Sequence, residues 1–206
     1  MDTFSDFSII PVLVIEDSSW AADLGHCLVE SGLPVVEVTL RTPQSWSAIE
    51  AMKEVSGLTL GMGSVTKKQE LDRGRDLGLE FAVSAGFSAK LVEHARNMGL
   101  EYLPGVATPS EMLKAVEHDL SIVKWFPAET LGGVPSLRAS SAPFPALRFV
   151  PTGGISASNI NSYLNEKNVK AVGGSWMFSK EAMANKDVQA ISMKVKEALT
   201  LIKEIS

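Results

Sequence analysis

Ile10-Pro11-Val12-Leu13-Val14-Ile15-Glu16-Asp17-Ser18-Ser19-Trp20 is the stretch that decides the fold. An apolar, β-branched run ends at Ile15 and gives way to polar residues opening a segment of helical period, so the chain begins as strand then helix. An open doubly wound sheet that binds a nucleotide carries a glycine-rich turn directly after its first strand. Glu16 to Trp20 contains no glycine.

The same unit recurs along the chain. Strands are predicted at Ile10–Ile15, Val35–Arg41, Leu58–Val65, Glu80–Ala85, Tyr102–Val106, Ser121–Phe126, Leu147–Pro151 and Lys170–Gly174. Helices are predicted at Ser18–Ser31, Gln44–Val55, Lys67–Leu77, Ala89–Met98, Ser110–His118, Ser158–Asn165 and Ala184–Ile205. Leu131 to Pro145, with its Gly, Pro and Ser, carries the least helical pattern. Eight units spaced about 25 residues apart, with no linker between them, imply a parallel sheet covered by helices. Eight such units closing on themselves make an α/β fold of the (β/α)₈ TIM-barrel type. Residues 1–206 are expected to form one such domain with a short N-terminal extension.

Composition narrows the partners. With 45% hydrophobic and 21% charged residues the chain is an ordinary globular protein, not a disordered or collagen-like one. Nineteen basic against twenty-four acidic residues give a net charge of −5. That balance argues against nucleic acid or an anionic membrane as partner, and leaves room for a local basic pocket that takes a phosphorylated metabolite. The single cysteine, Cys27, excludes an intrachain disulfide framework and suits a reducing compartment. Met1 to Ser8 has two Asp and no Lys or Arg, unlike a signal peptide, and Ile9–Ile15 is too short to span a bilayer. A cytoplasmic location is expected.

In a barrel, chemistry gathers at the C-terminal ends of the strands. Two strands carry charge where packing would prefer none. In Val35-Val36-Glu37-Val38-Thr39-Leu40-Arg41 the period of two puts Glu37, Thr39 and Arg41 on one face, so Glu37 and Arg41 point into the barrel or its mouth. In Ser121-Ile122-Val123-Lys124-Trp125-Phe126 the lysine shares a face with Ile122 and Phe126. Burying an unpaired ammonium costs enough that the group usually gives up its proton, and an unprotonated lysine can attack a carbonyl to form a Schiff base. The alternatives are a structural Lys124–Glu37 ion pair, or a lysine that snorkels to the rim. Arg41 is either a rim salt bridge or a clamp for phosphate or carboxylate.

Gly132-Gly133, Gly153-Gly154 and Gly173-Gly174 each follow one of the last three predicted strands. Thr152-Gly153-Gly154-Ile155-Ser156 leads into the Ser158 helix, whose free N–H groups and dipole would favour an anion. Gly173-Gly174-Ser175 adds backbone access and a hydroxyl. Glycine pairs also serve ordinary tight turns, but two of them after strands seven and eight lie where barrels place phosphate. His26, His94 and His118 fall on predicted outer helices without ligand spacing, so no metal site is expected, and Cys27 reads as packing.

Glu37-Val38-Thr39-Leu40-Arg41, Leu103-Pro104-Gly105-Val106-Ala107-Thr108-Pro109-Ser110, Lys124-Trp125-Phe126-Pro127-Ala128-Glu129, Pro151-Thr152-Gly153-Gly154-Ile155 and Gly173-Gly174-Ser175-Trp176 together resemble, in order, the signatures of the 2-keto-3-deoxy-6-phosphogluconate (KDPG/KHG) aldolase family. The resemblance runs from about Ile10 to Trp176. It implies a metal-free, cofactor-free homotrimeric (β/α)₈ barrel that cleaves KDPG to pyruvate and glyceraldehyde 3-phosphate. It places the Schiff-base lysine on Lys124 and the acid/base glutamate on Glu37. Carboxylate and phosphate contacts fall on Arg41, Ser64, Thr152, Gly153, Gly154, Gly174 and Ser175, with Phe126 beside the lysine.

The chain departs from the family pattern where Gly-x-Gly-Thr-Val becomes Gly61-Met62-Gly63-Ser64-Val65, and where Ser-Pro-Gly becomes Ser84-Ala85-Gly86. Both departures bear on substrate preference and rate rather than reaction type. Trp125 replaces a usual Phe, on the outward parity. Rival readings are the same lyase chemistry on 4-hydroxy-2-oxoglutarate or the 6-phosphogalactonate epimer, a non-covalent sugar-phosphate isomerase or synthase barrel, and a silent phosphometabolite-binding protein.

Overall fold

A computed structural model of the chain describes residues 3–203. Parallel strands alternate with helices: α1 (Thr3–Asp6), β1 (Ile9–Leu13), α2 (Ala21–Glu30), β2 (Val35–Thr39), α3 (Ser45–Lys53), β3 (Thr59–Gly63), α4 (Lys68–Asp76), β4 (Phe81–Val83), α5 (Ala89–Asn97), β5 (Glu101–Leu103), β6 (Gly105–Val106), α6 (Pro109–Glu117), β7 (Ile122–Trp125), α7 (Gly133–Ser141), β8 (Arg148–Pro151), α8 (Ile160–Leu164), β9 (Val172–Gly174), α9 (Lys180–Ala184) and α10 (Val188–Lys203). The fold is α/β, as the alternation requires.

Six strands pair in the order β5-β4-β3-β2-β1-β9 and three more as β6-β7-β8. The predicted fifth strand, Tyr102–Val106, is split because Pro104 has no N–H for the ladder. Its carbonyl still accepts from the Lys124 amide at 2.9 Å. On the other side, bridges at Phe149–Val169 and Thr152–Gly173 link β8 to the β9 segment.

Helix boundaries follow local chemistry. A capping box between Thr108 and Glu111, with Pro109 at the first helical position, starts α6. The predicted Ser18–Ser31 helix opens instead with a 3₁₀ turn, Ser18–Trp20, capped by Asp17. The predicted Ala184–Ile205 helix is two elements, α9 and α10, separated at Lys186, whose φ of 53° is left-handed; Glu204 and Ile205 lie outside the described residues. The Leu131–Pro145 connection does hold a helix, α7, entered through Gly132 at φ 103°. The N-terminal extension is also structured from Thr3: Phe4 is buried and meets Phe81 edge-on at 5.3 Å between ring centroids.

Core residues run from Phe4 to Ala198 in one cluster. Among the described residues no helix is long and apolar enough to cross a membrane. Inside the sheet, β3 supplies space rather than side chains. A Cβ on Gly61 would lie 2.3 Å from the Phe81 ring, and one on Gly63 would lie 2.0 Å from Oε1 of Glu37. The two glycines of Gly61-Met62-Gly63 therefore admit a ring at one level and a carboxylate two residues further along.

Candidate active site

Every residue of β2 is buried, and Glu37 lies on its inward face, only 3% exposed. Lys124, on β7, is equally buried, with Nζ 3.4 Å from Oε1 and 3.5 Å from Oε2 of Glu37. Parity thus brings together the two charges that sequence singled out, across strands 87 residues apart. The Phe126 ring lies 5.5 Å from Lys124 Nζ, near enough for a cation–π contact. Thr39, on the same face as Glu37, is held by a hydroxyl bond to the Leu13 carbonyl at 3.0 Å.

Arg41 lies past the end of β2, exposed, and its Nε donates to the Ser64 hydroxyl at 2.9 Å. Ser64 has a φ of 62°, a left-handed conformation uncommon outside glycine, at the mouth of β3. Ser64 also lines a cavity of about 310 Å³ with Ser84, Ala85 and Gly86.

Thr152 is buried and bridges to Gly173, where a Cβ would come within 2.3 Å of the threonine hydroxyl. Gly153 and Gly154 follow with φ of 98° and 81°, conformations that glycine alone adopts readily. Ser175 lines a second cavity of about 620 Å³, with Val12, Trp20, Phe178, Lys180 and Lys186. The helix predicted at Ser158–Asn165 is shorter in the structure. Helix α8 begins only at Ile160, and the Asn159 side chain already accepts from Ser156 N at 2.8 Å and donates to the Gly154 carbonyl at 3.0 Å. The Asn159 side chain thus occupies the Ser156 amide.

Each cavity adjoins a strand neighbour of the buried pair. Val12, in the wall of the larger one, is the register partner of Glu37. The Ser84–Gly86 turn, in the wall of the smaller one, packs on Gly105, the register partner of Lys124.

Several residues were missed by sequence reasoning. Glu129 lies beneath the glycine loop: its amide donates to the Gly153 carbonyl at 3.0 Å, and a Cβ on Gly154 would fall 2.6 Å from its own Cβ. The Tyr163 hydroxyl donates to its carboxylate. Burial first, and that carboxylate second, push the Tyr163 phenol well above its ordinary range. Lys186 is held by Asp17 at 2.7 Å and by the Ser19 hydroxyl at 2.9 Å, and it keeps the Asp17 carboxyl far below the usual range. Charges on surface loops have no periodicity to betray them; only the fold brings Asp17 and Lys186 together.

Among the described residues no group of three His, Cys, Asp or Glu could hold a metal. His94 pairs with Asp72 at 2.9 Å on the outer helices, His118 closes α6, and His26 is exposed on α2. Cys27 is buried with its thiol against the Val188 carbonyl, and burial raises its pKa.

A lysine and a carboxylate are thus buried together among the parallel strands of an α/β protein, with glycine loops beyond the strand ends. The family model described as KDPG and KHG aldolase matches residues 2–194, and the chain belongs to that family. It is 41% identical over 190 residues to the 2-dehydro-3-deoxy-phosphogluconate aldolase of Zymomonas mobilis, covering 92% of this chain and 90% of that one. It is 38% identical to the KHG/KDPG aldolase of Escherichia coli, covering 93% and 90%. The Zymomonas mobilis aldolase solved with 3-phosphoglycerate superposes with a TM-score of 0.90 at 40% identity, over 95% of this chain and 92% of that one. The Legionella pneumophila KDPG aldolase, solved with pyruvate captured as a covalent carbinolamine, gives 0.89 at 34% identity, over 94% of each chain.

Proposed function

We propose that this chain is a metal-independent Schiff-base aldolase that cleaves 2-keto-3-deoxy-6-phosphogluconate to pyruvate and glyceraldehyde 3-phosphate, without a cofactor. It acts in the cytoplasm as a homotrimer of single-domain (β/α)₈ barrels. Residues 1–206 form the domain, with β5 and β6 acting as one strand and the β8–β9 bridges completing closure. The observation that carries the reading is Lys124 Nζ 3.4 Å from a buried Glu37 carboxylate.

In this mechanism Lys124 passes a proton to Glu37, and the free amine attacks the keto carbon. Glu37 returns the proton to the departing hydroxyl, water leaves, and an iminium forms. Glu37 then accepts the proton of the fourth-carbon hydroxyl, directly or through a water. The bond between the third and fourth carbons breaks, its electrons pass to the iminium, and the aldehyde is released. Glu37 protonates the resulting enamine, and water frees pyruvate and Lys124. Arg41 and Ser64 hold the keto acid, Phe126 packs beside the lysine, and Thr152, Gly153, Gly154, Gly174 and Ser175 hold the phosphate end. Such positioning can supply about 7–11 kcal/mol in favourable systems.

A second reading has support from the Escherichia coli relative, whose name covers both KHG and KDPG. Steady-state kinetics on KDPG, its 6-phosphogalactonate epimer and 4-hydroxy-2-oxoglutarate separates them. The highest kcat/KM is expected on KDPG; an equal or higher value on the unphosphorylated acid would displace it.

A further inference from the structure

Ser84 stands one residue past β4, where its amide still donates to the Leu103 carbonyl at 3.1 Å and extends the ladder. Its hydroxyl is buried and used in both directions. It accepts from the Tyr102 hydroxyl at 2.7 Å and donates to the Gly86 carbonyl at 2.7 Å. A chain of two hydrogen bonds therefore ties the Ser84-Ala85-Gly86 turn to β5.

That turn has two neighbours that matter to the site. It packs on Gly105, where a Cβ would lie 2.2 Å from the Ala85 carbonyl oxygen, and Gly105 is paired in register with Lys124. It also forms a wall of the 310 Å³ cavity shared with Ser64, whose hydroxyl takes the bond from Arg41. A shift of the turn would change the shape of that cavity without touching Lys124 or Glu37.

The turn holds alanine where the family commonly has proline, whose ring would fix the backbone by itself. The Ala85 N–H donates to no other group among the described residues, and its φ is outside the left-handed region. Burial pushes the Tyr102 phenol up to about 12, against a smaller opposite effect of its bond to Ser84. The hydroxyl therefore keeps its proton, and its donor role, throughout neutral conditions.

We propose that Tyr102 is a positioning residue for the keto-acid pocket: through Ser84 it holds the Ser84-Ala85-Gly86 turn against Gly105, doing by hydrogen bonds what a proline at 85 would do by its ring. The inference rests on the aldolase reading of the site and adds a specificity element remote from the reacting atoms.

The test compares wild type with Tyr102→Phe, Ser84→Ala, Ala85→Pro and the double variant Tyr102→Phe/Ala85→Pro. Two quantities are read: KM and kcat for KDPG cleavage, and the pyruvate concentration giving half-maximal borohydride trapping. Tyr102→Phe and Ser84→Ala should each raise KM and the half-trapping concentration about fivefold, with kcat within about twofold. In the double variant both values should return to within about twofold of those of Ala85→Pro alone. A merely structural tyrosine would lower the melting temperature without this KM-specific loss, and a proline would not rescue it. Unchanged values in both single variants, or failure of Ala85→Pro to restore them, overturn the proposal alone. A wild-type chain that neither cleaves KDPG nor is trapped overturns the aldolase reading, and the proposal with it.

Discussion

Gly63 and Glu37 compete for one volume: a Cβ added to the glycine on β3 would fall 2.0 Å from Oε1, 2.6 Å from Cδ and 2.7 Å from Cγ of the glutamate on β2. Because the overlap extends along the side chain, rotating the carboxylate alone does not relieve it. Gly63→Ala should therefore displace Glu37 from Lys124 and lower kcat by about 10²–10⁴, the range for losing a general acid/base. Overpacking should cost about 1–3 kcal/mol of stability. Wild-type kcat in this variant would mean that the glutamate is free to work from elsewhere.

Glu37→Gln separates proton transfer from structural pairing. Glutamine keeps the size and a hydrogen-bonding group but cannot take the proton. Turnover should fall by about 10²–10⁴ while borohydride trapping with pyruvate persists, more slowly because Glu37 also takes the Lys124 proton and assists dehydration. If the pair were structural only, the variant would leave the Lys124 ammonium buried and unpaired. It would then lose about 3–5 kcal/mol of stability with turnover intact.

Tyr102 gives stability a pH dependence of known sign. Below about pH 10 the phenol is protonated in folded and unfolded chains alike, so it contributes no slope. Between its ordinary value of 10.0 and the folded value of about 12 the unfolded chain has lost the proton and the folded chain keeps it. The native state then binds more protons, and unfolding free energy falls as pH rises, by at most about 3 kcal/mol once the folded value is passed. Tyr163, raised further, acts in the same direction in both proteins compared. Urea midpoints measured across this alkaline window should fall less steeply in Tyr102→Phe than in wild type.

How much of this was legible in the sequence depends on which residues are considered. Alternation in β2 and β7 was enough to turn Glu37 and Lys124 inward, because a period of two leaves no other face for Val36, Val38, Val123 and Trp125, all buried. The glycines of β3 were visible as a motif, but their purpose was not: it depends on Phe81 and Glu37 arriving from other strands. Helix α7 was obscured by Gly133, Pro135 and Ser136 at its start. The break between α9 and α10 hides in Asn185-Lys186-Asp187, where no glycine or proline marks the left-handed Lys186. The Tyr102–Ser84–Gly86 chain was illegible because it joins residues 18 apart on neighbouring strands.

Cleavage is expected to survive dialysis against a strong chelator. The mechanism draws its electron sink from the Lys124 iminium and its proton transfers from Glu37, so no Lewis acid enters any step. Loss of activity that a divalent cation restores would point to a metal-dependent aldol cleavage instead.

Borohydride reduction in the presence of pyruvate, followed by peptide mass mapping, reads the covalent step itself. Lys124 is the lysine that this account places beside a buried carboxylate, 3.4 Å away and shut off from solvent. The reduced protein should carry one pyruvyl adduct, on the peptide containing Lys124, and Lys124→Arg should carry none. An adduct mapped to Lys90 or Lys170, or an unmodified wild-type chain, would contradict the account.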